Sequence, residues 1–219
     1  MNQAPPPRRG GRPARDEAIR LRETIIGVAT AMFLDQGYGA TSIEAVARQA
    51  QVSKRTLYHR FRDKADLFGA VVHEVVAGLR PAGAIDAVFA GAEIVDILRR
   101  VARLALRAAL SPQAVALQRI ILAEAARFPE LAAVVAGEGS RREAIDGLAA
   151  LLERERQAGR LGFDQTRFAA EQFLEMVVSL PRRRAMGLGQ PMGEAELEVW
   201  ERETVRLFLD GCRGGSGRA

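Results

Sequence analysis

Residues 41–61, TSIEAVARQAQVSKRTLYHRF, decide the fold of the first part of this chain. At the start, TSIE has the spacing of a capping box, in which Thr41 accepts from the amide of Glu44 and Glu44 reaches back. A short helix is expected to follow, and Ser53 can cap a second one. Because so few residues separate the two caps, the connection has to be a tight turn. The stretch therefore predicts two short helices joined by a tight turn.

Longer helices are predicted on both sides of this pair. Apolar residues recur at helical spacing from about Asp16 onward, and Gly37 is a suitable C-terminal stop. The residues expected on that apolar face are Ile19, Ile25, Ile26, Ala29, Phe33 and Leu34. Asp63 can cap a fourth helix, which has to end before Pro81. Residues 16–63 are therefore predicted to form a helix-turn-helix head.

The second short helix is expected to present polar side chains to solvent. Since Val52, Leu57 and Phe61 are committed to the core, the other side chains point outward, mostly from its N-terminal half. These side chains are Lys54, Arg55, Thr56, Tyr58 and His59. In helix-turn-helix proteins, the N-terminal residues of the second helix contact base edges in the major groove. The pattern therefore predicts a DNA-reading helix.

Each outward group has a suitable partner on DNA. Arg55 and Lys54 can donate to guanine O6 and N7, while His59 or Thr56 can add a second base or phosphate contact. Tyr58 is expected to donate to a phosphate. The backbone is expected to be braced on either side by the helix starts at Thr41, Ser42 and Ser53 and by Lys64.

Positive charge is concentrated in the head. Residues 1–64 hold 12 Lys and Arg against 6 Asp and Glu, whereas the whole chain holds 32 against 27. The rest is close to neutral, so a polyanion partner is expected for the head alone. Residues 1–15 are rich in Pro, Gly and Arg and are expected to be disordered when alone. Arg8, Arg9, Arg12 and Arg15 can follow the DNA backbone or enter a narrow minor groove, with a solubilising tail as the alternative.

The segment 64–211 is predicted to form an all-α body. No segment beyond residue 85 alternates with period two, and helical stretches occur at 93–110, 112–127, 129–158, 165–180 and 194–210. With the four earlier helices, the chain has about nine. Arg182, Arg183 and Arg184 follow Pro181 and are expected in a loop, and residues 212–219 in a flexible tail.

Composition argues against several classes of protein. Cys212 is the single cysteine, so no disulfide framework, zinc cluster or redox pair is expected, and no apolar stretch approaches the length of a membrane span. These features favour a cytoplasmic protein without a membrane partner. His59 and His73 are the two histidines, and no nucleophile with a base or phosphate-binding loop accompanies them. We therefore expect no enzyme activity, no cofactor and no metal site.

Residues 16–75 closely resemble the DNA-binding head of TetR/AcrR-type regulators. The features that carry the resemblance are Phe33, Gly37, Thr41, Ile43, Val46, Ala47, Val52-Ser53, Thr56-Leu57-Tyr58, Phe61, Lys64 and Leu67-Phe68. Gln51 stands where the family usually has glycine in the turn, which costs strain if that position is left-handed. Arg55 replaces a frequent small residue, so the preferred DNA sequence cannot be borrowed from relatives. Residues 118–178 more weakly resemble the C-terminal domain of the AefR-like branch, through QRIILAEAARFPELAAVV and ERQAGRL.

The resemblance implies a homodimer in which the last two helices form a four-helix bundle. Their apolar residues are expected at the interface, namely Phe168, Leu174, Val177, Val178, Leu197, Trp200, Val205 and Phe208. An ordinary monomer core is the alternative reading of the same residues. Two heads on a twofold axis double the base contacts and predict a pseudo-palindromic operator.

The resemblance also implies a pocket among the middle helices, whose occupation changes the affinity for DNA. The candidate lining residues are Arg103, Leu104, Arg107, Leu117, Ile121, Glu124, Phe128, Phe173 and Met176, with Arg119 and Glu175 as further polar contacts. Each of them also suits an ordinary core or surface position.

The expected function is that of a ligand-responsive repressor, which an unidentified small-molecule effector releases from a double-stranded DNA operator. The alternative is an architectural protein that binds DNA without sequence preference and without a ligand. The size and neutrality of the body favour the repressor, because coating DNA requires no such body.

Overall fold

The computed structural model describes residues 12–78, 88–89, 93–131, 134 and 139–213. In these ranges the chain forms nine α-helices and no strand, which confirms the predicted all-α class. The helices are α1 (Arg12–Ala40), α2 (Ile43–Gln49), α3 (Lys54–Arg60), α4 (Lys64–Gly78), α5 (Ile94–Leu110), α6 (Pro112–Glu124), α7 (Gly139–Gln157), α8 (Thr166–Ala185) and α9 (Glu194–Arg213). The chain divides into two compact units, Met1–Val71 and Val72–Ala219.

An aromatic cluster forms the centre of the first unit. The ring of Phe68 packs edge-on against those of Phe33 and Tyr38, with centroids 5.0 and 5.3 Å apart. All three side chains are buried, and such edge-to-face pairs add to the stabilisation from burial. Tyr38 was not expected in this core, whereas Ile19 was expected there and is 48% exposed. Ile19 lies six residues, nearly two turns, before Ile25, the first fully buried residue of α1, so the packed face begins later than the apolar pattern suggested.

Helix α1 differs from its prediction at the start and follows it at the end. It begins at Arg12, within the segment expected to be disordered, rather than near Asp16. Gly37 has φ 82°, which interrupts the helical backbone at the predicted stop. This left-handed conformation favours glycine, because a Cβ would clash with the following carbonyl.

The turn between α2 and α3 is a Schellman motif. The amide of Val52 donates to the carbonyl of Ala47 at 2.9 Å, and the amide of Gln51 donates to that of Arg48 at 3.2 Å. These two bonds satisfy carbonyls that the end of α2 leaves without helical partners. Gln51 has φ 56°, so a non-glycine residue occupies the left-handed position. The strain that the sequence suggested for this position is therefore present.

Replacing Gln51 with glycine is expected to stabilise the protein. The left-handed strain disappears, and the larger entropy of an unfolded glycine offsets part of the gain, which leaves about 0.5–1 kcal/mol. A thermal melt followed by circular dichroism measures the change. Gln51→Ala is the matched control, because it shortens the side chain but keeps the Cβ. Equal stabilisation by both variants would contradict the account.

The second unit has its core among α5, α7, α8 and α9. Its fully buried side chains include Leu98 of α5, Leu148 and Leu152 of α7, and Phe173 of α8. Phe173 packs against Phe208 of α9, with ring centroids 5.0 Å apart. The apolar faces of these four helices therefore meet inside the unit.

Helix α8 continues through Pro181, contrary to the predicted loop from this residue. A proline removes the amide that would donate to the carbonyl four residues earlier, which here belongs to Val177. The indole Nε1 of Trp200 donates to that carbonyl instead, at 2.8 Å. Because this hydrogen bond replaces the lost one, the helix extends to Ala185, and Arg182, Arg183 and Arg184 form its last turn.

Other boundaries differ by a few residues. Helix α6 ends at Glu124 rather than 127, since turns occupy residues 125–127. Helix α9 continues through Cys212, which had been placed in the flexible tail, because the amide of Gly162 hydrogen-bonds to the Cys212 carbonyl. Of the predicted helix 129–158, the structure describes α7 and residues 130, 131 and 134 as helical, and residues 129 and 158 as turns.

Candidate nucleic-acid interface

Helix α3 is held at both ends by local hydrogen bonds. The Ser53 hydroxyl accepts from the amide of Thr56 at 3.0 Å, and the amide of Phe61 donates to the carbonyl of Leu57 at 2.9 Å. Leu57 is fully buried and Phe61 nearly so, which fixes the rotation of the helix about its axis. Arg60 also donates to the carbonyl of Ala18 on α1 at 3.0 Å. These contacts determine which side of α3 faces solvent.

The solvent side of α3 carries a cationic and aromatic surface. Lys54, Arg55, Tyr58 and His59 are exposed, and all four were predicted to contact DNA. Thr56 differs, because it is half-buried and its hydroxyl lies 2.7 Å from that of Ser53. We call the four exposed residues the α3 face. It offers donors that suit base edges and phosphates.

Thr41 is not the cap of α2. Ser42 is the N-cap residue, and its hydroxyl accepts from the amide of Ala45 at 3.1 Å. Thr41 is buried, and its hydroxyl bonds to the Gly37 carbonyl at 2.8 Å. The break at Gly37 leaves carbonyls of α1 in need of donors, which gives Thr41 a structural role. Its side chain is therefore not available to a phosphate, whereas Ser42 is exposed.

Lys64 was expected to contact phosphate, but its ammonium group faces the protein. It donates to the carbonyls of Tyr38 at 2.9 Å, Thr41 at 3.1 Å and Gly39 at 3.4 Å. It also lies 4.4 Å from the centroid of the Tyr38 ring. An ammonium has three donors, and three carbonyls accept them here. Lys64 therefore binds the carbonyls between the break at Gly37 and the start of α2.

One acidic residue lies beside the α3 face. The Glu44 carboxylate is 3.5 Å from the ammonium of Lys54, and both groups are largely exposed. The hydrogen bond from the backbone amide of Glu44 and the charge of Lys54 lower the pKa of this carboxyl below its usual value. Glu44 is therefore negative at neutral pH and holds one of the cations that DNA would attract.

Replacing Glu44 with glutamine is expected to strengthen DNA binding. The change removes a repulsive charge and releases Lys54, so affinity rises by about two- to fivefold at low salt for any duplex. Fluorescence anisotropy titrations at several salt concentrations measure this effect. Glu23→Gln on α1 is the control for charge alone. Unchanged or weaker binding by Glu44→Gln would show that Lys54 makes no contact with DNA.

The basic arm lies mostly outside the described residues. Arg8 and Arg9 fall in the range 1–11, and for Arg12 and Arg15 the structure describes the helical backbone only. Their predicted contacts with DNA stay predictions.

The second unit contains an apolar cavity of about 210 Å³. Three of the predicted pocket residues line it, Leu104, Leu117 and Ile121. The remaining lining residues are Val72, Val75, Val88, Phe89, Val101, Ala105, Ala108, Ala109, Ala114, Gln118, Arg141, Ala144, Leu174, Val178 and Arg182. Leu104 belongs to α5, and Leu117 and Ile121 belong to α6, whereas none of the lining residues of α4, α7 and α8 was among the predicted ones.

The other predicted pocket residues have different roles. Arg103 and Arg107 line a separate cleft between α5 and α9, where Arg103 pairs with Glu201 at 3.0 Å. Phe173 is fully buried in the core, and Met176 packs against that core. The remaining predicted residues Glu124, Phe128, Arg119 and Glu175 are not among the residues that line the cavity.

Most residues predicted for the dimer interface are buried within one protomer. Leu174, Val177, Val178, Val205 and Phe208 belong to the core, while Leu197 and Trp200 pack against it. Helix α8 packs against α5 and α7, and helix α9 packs against α5. The side chains just named take part in this packing. Phe168 is 58% exposed, and Leu207, on the same helix as Val205 and Phe208, is 65% exposed. An interface through α8 and α9 therefore has to use their outer faces.

Two negative observations apply to the residues described. No helix among them has the length and apolar character needed to cross a membrane. Within the same ranges, no three His, Cys, Asp or Glu side chains lie together as a metal site requires.

Two protein families match the chain. Residues 25–71 match the bacterial regulatory proteins of the tetR family. Residues 96–211, more than half of the chain, match the C-terminal domain of AefR-like transcriptional repressors. The two matches are consistent with the two resemblances that the sequence showed.

Individual regulators are similar to parts of the chain. It is 37% identical to the HTH-type transcriptional regulator AcrR of Shigella flexneri over 60 residues, which are 27% of this chain and 28% of AcrR. It is 39% identical to the HTH-type transcriptional activator FasR of Mycolicibacterium smegmatis over 79 residues, 34% of this chain and 35% of FasR. The chain thus matches about a third or less of these relatives.

Solved structures are similar over most of the chain. The flavonoid-responsive regulator FrrA has a TM-score of 0.70 and 34% sequence identity, covering 89% of this chain and 98% of its own. A TetR-family regulator from Mesorhizobium loti has a TM-score of 0.72 and 29% identity, covering 89% and 97%. Together with the family matches, these likenesses show that the chain belongs to the TetR family of transcriptional regulators, with a helix-turn-helix DNA-binding domain and an AefR-like C-terminal domain.

Proposed function

We propose that the protein is a ligand-responsive repressor, which binds a pseudo-palindromic operator as a homodimer and leaves it when a small molecule fills the cavity. The observation that carries the proposal is the apolar cavity of about 210 Å³ in the second unit. Protein interiors are close-packed, so space that the protein's own side chains leave open needs a reason. A ligand whose affinity differs between two conformations provides one.

The α3 face supports sequence-specific binding. Arg55 and Lys54 can each donate to the two acceptors on the major-groove edge of guanine, and Arg55 has no ion pair among those described. Ser42 and Ser53 stand at the starts of α2 and α3, where exposed amides suit phosphate oxygens. Reading of bases and positioning on the backbone are thus assigned to different residues. Because the proposed repressor binds chromosomal DNA, we expect it to act in the cytoplasm.

The relatives support a response to a ligand and favour repression. FrrA is described as flavonoid-responsive, and the family matched by residues 96–211 is described as a repressor family. FasR is described as an activator, so the direction of regulation needs its own measurement. A promoter reporter that rises when the chain is removed indicates repression, and one that falls indicates activation.

Dimerisation is proposed through the outer faces of α8 and α9. Val199 and Leu207 of α9 are 47% and 65% exposed and, eight residues apart, lie on the same side of the helix. Phe168 on α8 is 58% exposed, so both helices carry exposed apolar side chains that a partner subunit could bury.

A charge at Leu207 is expected to break the dimer. Leu207→Glu places an unpaired carboxylate in the interface, so the protein shifts to monomer at micromolar concentration and binds the operator at least tenfold more weakly. Analytical ultracentrifugation measures the mass. Leu188→Glu is the matched control, because Leu188 is equally exposed but lies beyond the end of α8. A Leu207→Glu protein that stays dimeric would remove α9 from the proposed interface.

The response to a ligand can be tested with a cavity-filling variant. Ala108 lines the cavity and is half-buried, so Ala108→Leu places three further carbon atoms there. We expect compounds that raise the melting temperature of the wild type to release its operator DNA, and the filled variant to keep DNA binding but lose this response. Compounds that bind without changing the affinity for DNA would overturn the proposed mechanism.

A further inference from the structure

The cavity is apolar apart from three residues of its lining. Val, Leu, Ile, Phe and Ala side chains form most of its lining, and the polar members are Gln118, Arg141 and Arg182. Gln118 belongs to α6, Arg141 to α7 and Arg182 to the last turn of α8. Arg182 reaches this position because α8 continues past Pro181. Three helices thus contribute one amide and two guanidinium groups to the lining of an otherwise apolar cavity.

One carboxylate balances the two guanidinium groups. Nη2 of Arg141 lies 2.7 Å from Oε1 of Glu175, and Nη2 of Arg182 lies 3.9 Å from Oε2 of the same residue. The first contact is a charge-assisted hydrogen bond, whereas the second is only an ion pair at longer range. These three groups, which we call the cluster, together carry a net charge of one positive unit. All three side chains are half-buried, which weakens their screening by water.

We infer that this cavity takes a monoanionic amphiphile, a molecule with an apolar body and one acidic oxygen group, and that Arg141 and Arg182 bind the acidic group. The inference rests on the proposed ligand-responsive function and names the chemical class of the ligand. An acidic group adds one negative charge and brings the cluster to neutrality. Each guanidinium has five N–H donors, so both can serve Glu175 and a second anion together.

Other ligand classes fit the cluster less well. A cation would add to an excess of positive charge, and like charges at close range are costly. A neutral apolar molecule buries as much apolar surface in the cavity as an anion does. However, it removes water from the two guanidinium groups and offers them no hydrogen-bond acceptor in return. The preference for an anion therefore comes from Arg141 and Arg182, while the apolar lining supplies affinity common to both classes.

Two fluorescent probes that share one ring system separate charge from burial. Anilinonaphthalene sulfonate is a monoanion, and N-phenylnaphthylamine has the same rings without the sulfonate. Both brighten in apolar surroundings, so a titration of the full chain gives the two dissociation constants. We expect the sulfonate to bind about tenfold tighter or more, since hydrogen bonds to charged groups favour it. Equal affinities would overturn the inference.

Variants assign that preference to the cluster. The double variant Arg141→Gln, Arg182→Gln leaves only the carboxylate of Glu175, so it is expected to lose the preference for the sulfonate or to reverse it. Arg167→Gln, which removes a charge from α8 outside the lining, is expected to keep the preference. Glu175→Gln is expected to bind the sulfonate severalfold tighter and the uncharged probe as before. Partial unfolding exposes apolar surface and would raise the binding of both probes, so a gain for the sulfonate alone tests the idea even if the double variant is unstable. A preference that survives in the folded double variant would contradict the assignment.

The outcome is distinguishable from failure of the proposed function, because the titration contains no DNA. Selective binding of the anion without release of operator DNA leaves the inference standing and removes the repressor mechanism. Release by uncharged or cationic compounds alone supports the mechanism and overturns the inference.

Discussion

Replacing Arg55 with alanine is expected to weaken binding to the operator by about 5- to 150-fold, which corresponds to roughly 1–3 kcal/mol. Arg55 is exposed on α3, and its planar guanidinium matches the two acceptors of a guanine in the major groove. The loss is confined to sequences that carry the base it reads, so affinity for unrelated duplexes falls by less than about threefold. Competition titrations at one fixed salt concentration measure both values.

Arg62→Ala is the matched control for this experiment. Arg62 is an exposed cation of the head that lies after α3, and it pairs only loosely with Asp66 at 3.7 Å. Its removal takes away the same charge and is expected to weaken operator and unrelated DNA alike, with a salt slope flatter by at most about one unit. If Arg55→Ala behaves like Arg62→Ala, Arg55 contacts phosphate and does not read a base.

Replacing Trp200 with phenylalanine is expected to destabilise the second unit by about 1–3 kcal/mol. The indole is the donor to the Val177 carbonyl, and Val177 is fully buried in the core. Phenylalanine has no donor, so the carbonyl loses its partner away from water. Thermal or urea unfolding followed by circular dichroism measures the loss.

A second substitution tests whether Pro181 is the reason that Trp200 is needed. In Pro181→Ala, the restored amide can donate to Val177 as in an uninterrupted helix, so Trp200→Phe is expected to cost at least about 1 kcal/mol less in that background. The four proteins of this double-mutant cycle give the coupling directly. An equal cost of Trp200→Phe in both backgrounds would show that the indole stabilises through packing alone.

The head was largely predictable because its determinants are local. The caps at Ser53 and Asp63 and the stop at Gly37 are each set by residues within a few positions. Thr41 was misassigned because Thr and Ser both cap helices, and two such residues stand next to each other. Which one caps α2 depends on the carbonyls left by the break at Gly37, and that need is visible only in three dimensions.

The body was predictable as a set of helices but not in its use of side chains. Apolar residues at helical spacing look the same whether they face a core, a cavity or a partner subunit. Leu174 and Val178 were therefore assigned to an interface, although they line the cavity and are buried. Arg182 was not predicted to line the cavity, because a proline normally ends a helix. The hydrogen bond from Trp200 that compensates for Pro181 joins residues far apart in the chain, so the local sequence does not reveal it.

The most direct test of the central claim, that the α3 face reads DNA sequence, is the ratio of affinities of the wild-type protein for selected and unrelated DNA. Duplexes are first enriched from a random pool, and the best is then titrated against a scrambled duplex of the same length and composition at physiological salt. The account predicts an inverted repeat among the enriched duplexes and a ratio of about a thousand or more. A pool without any enriched sequence, with equal affinity for both duplexes, would contradict it.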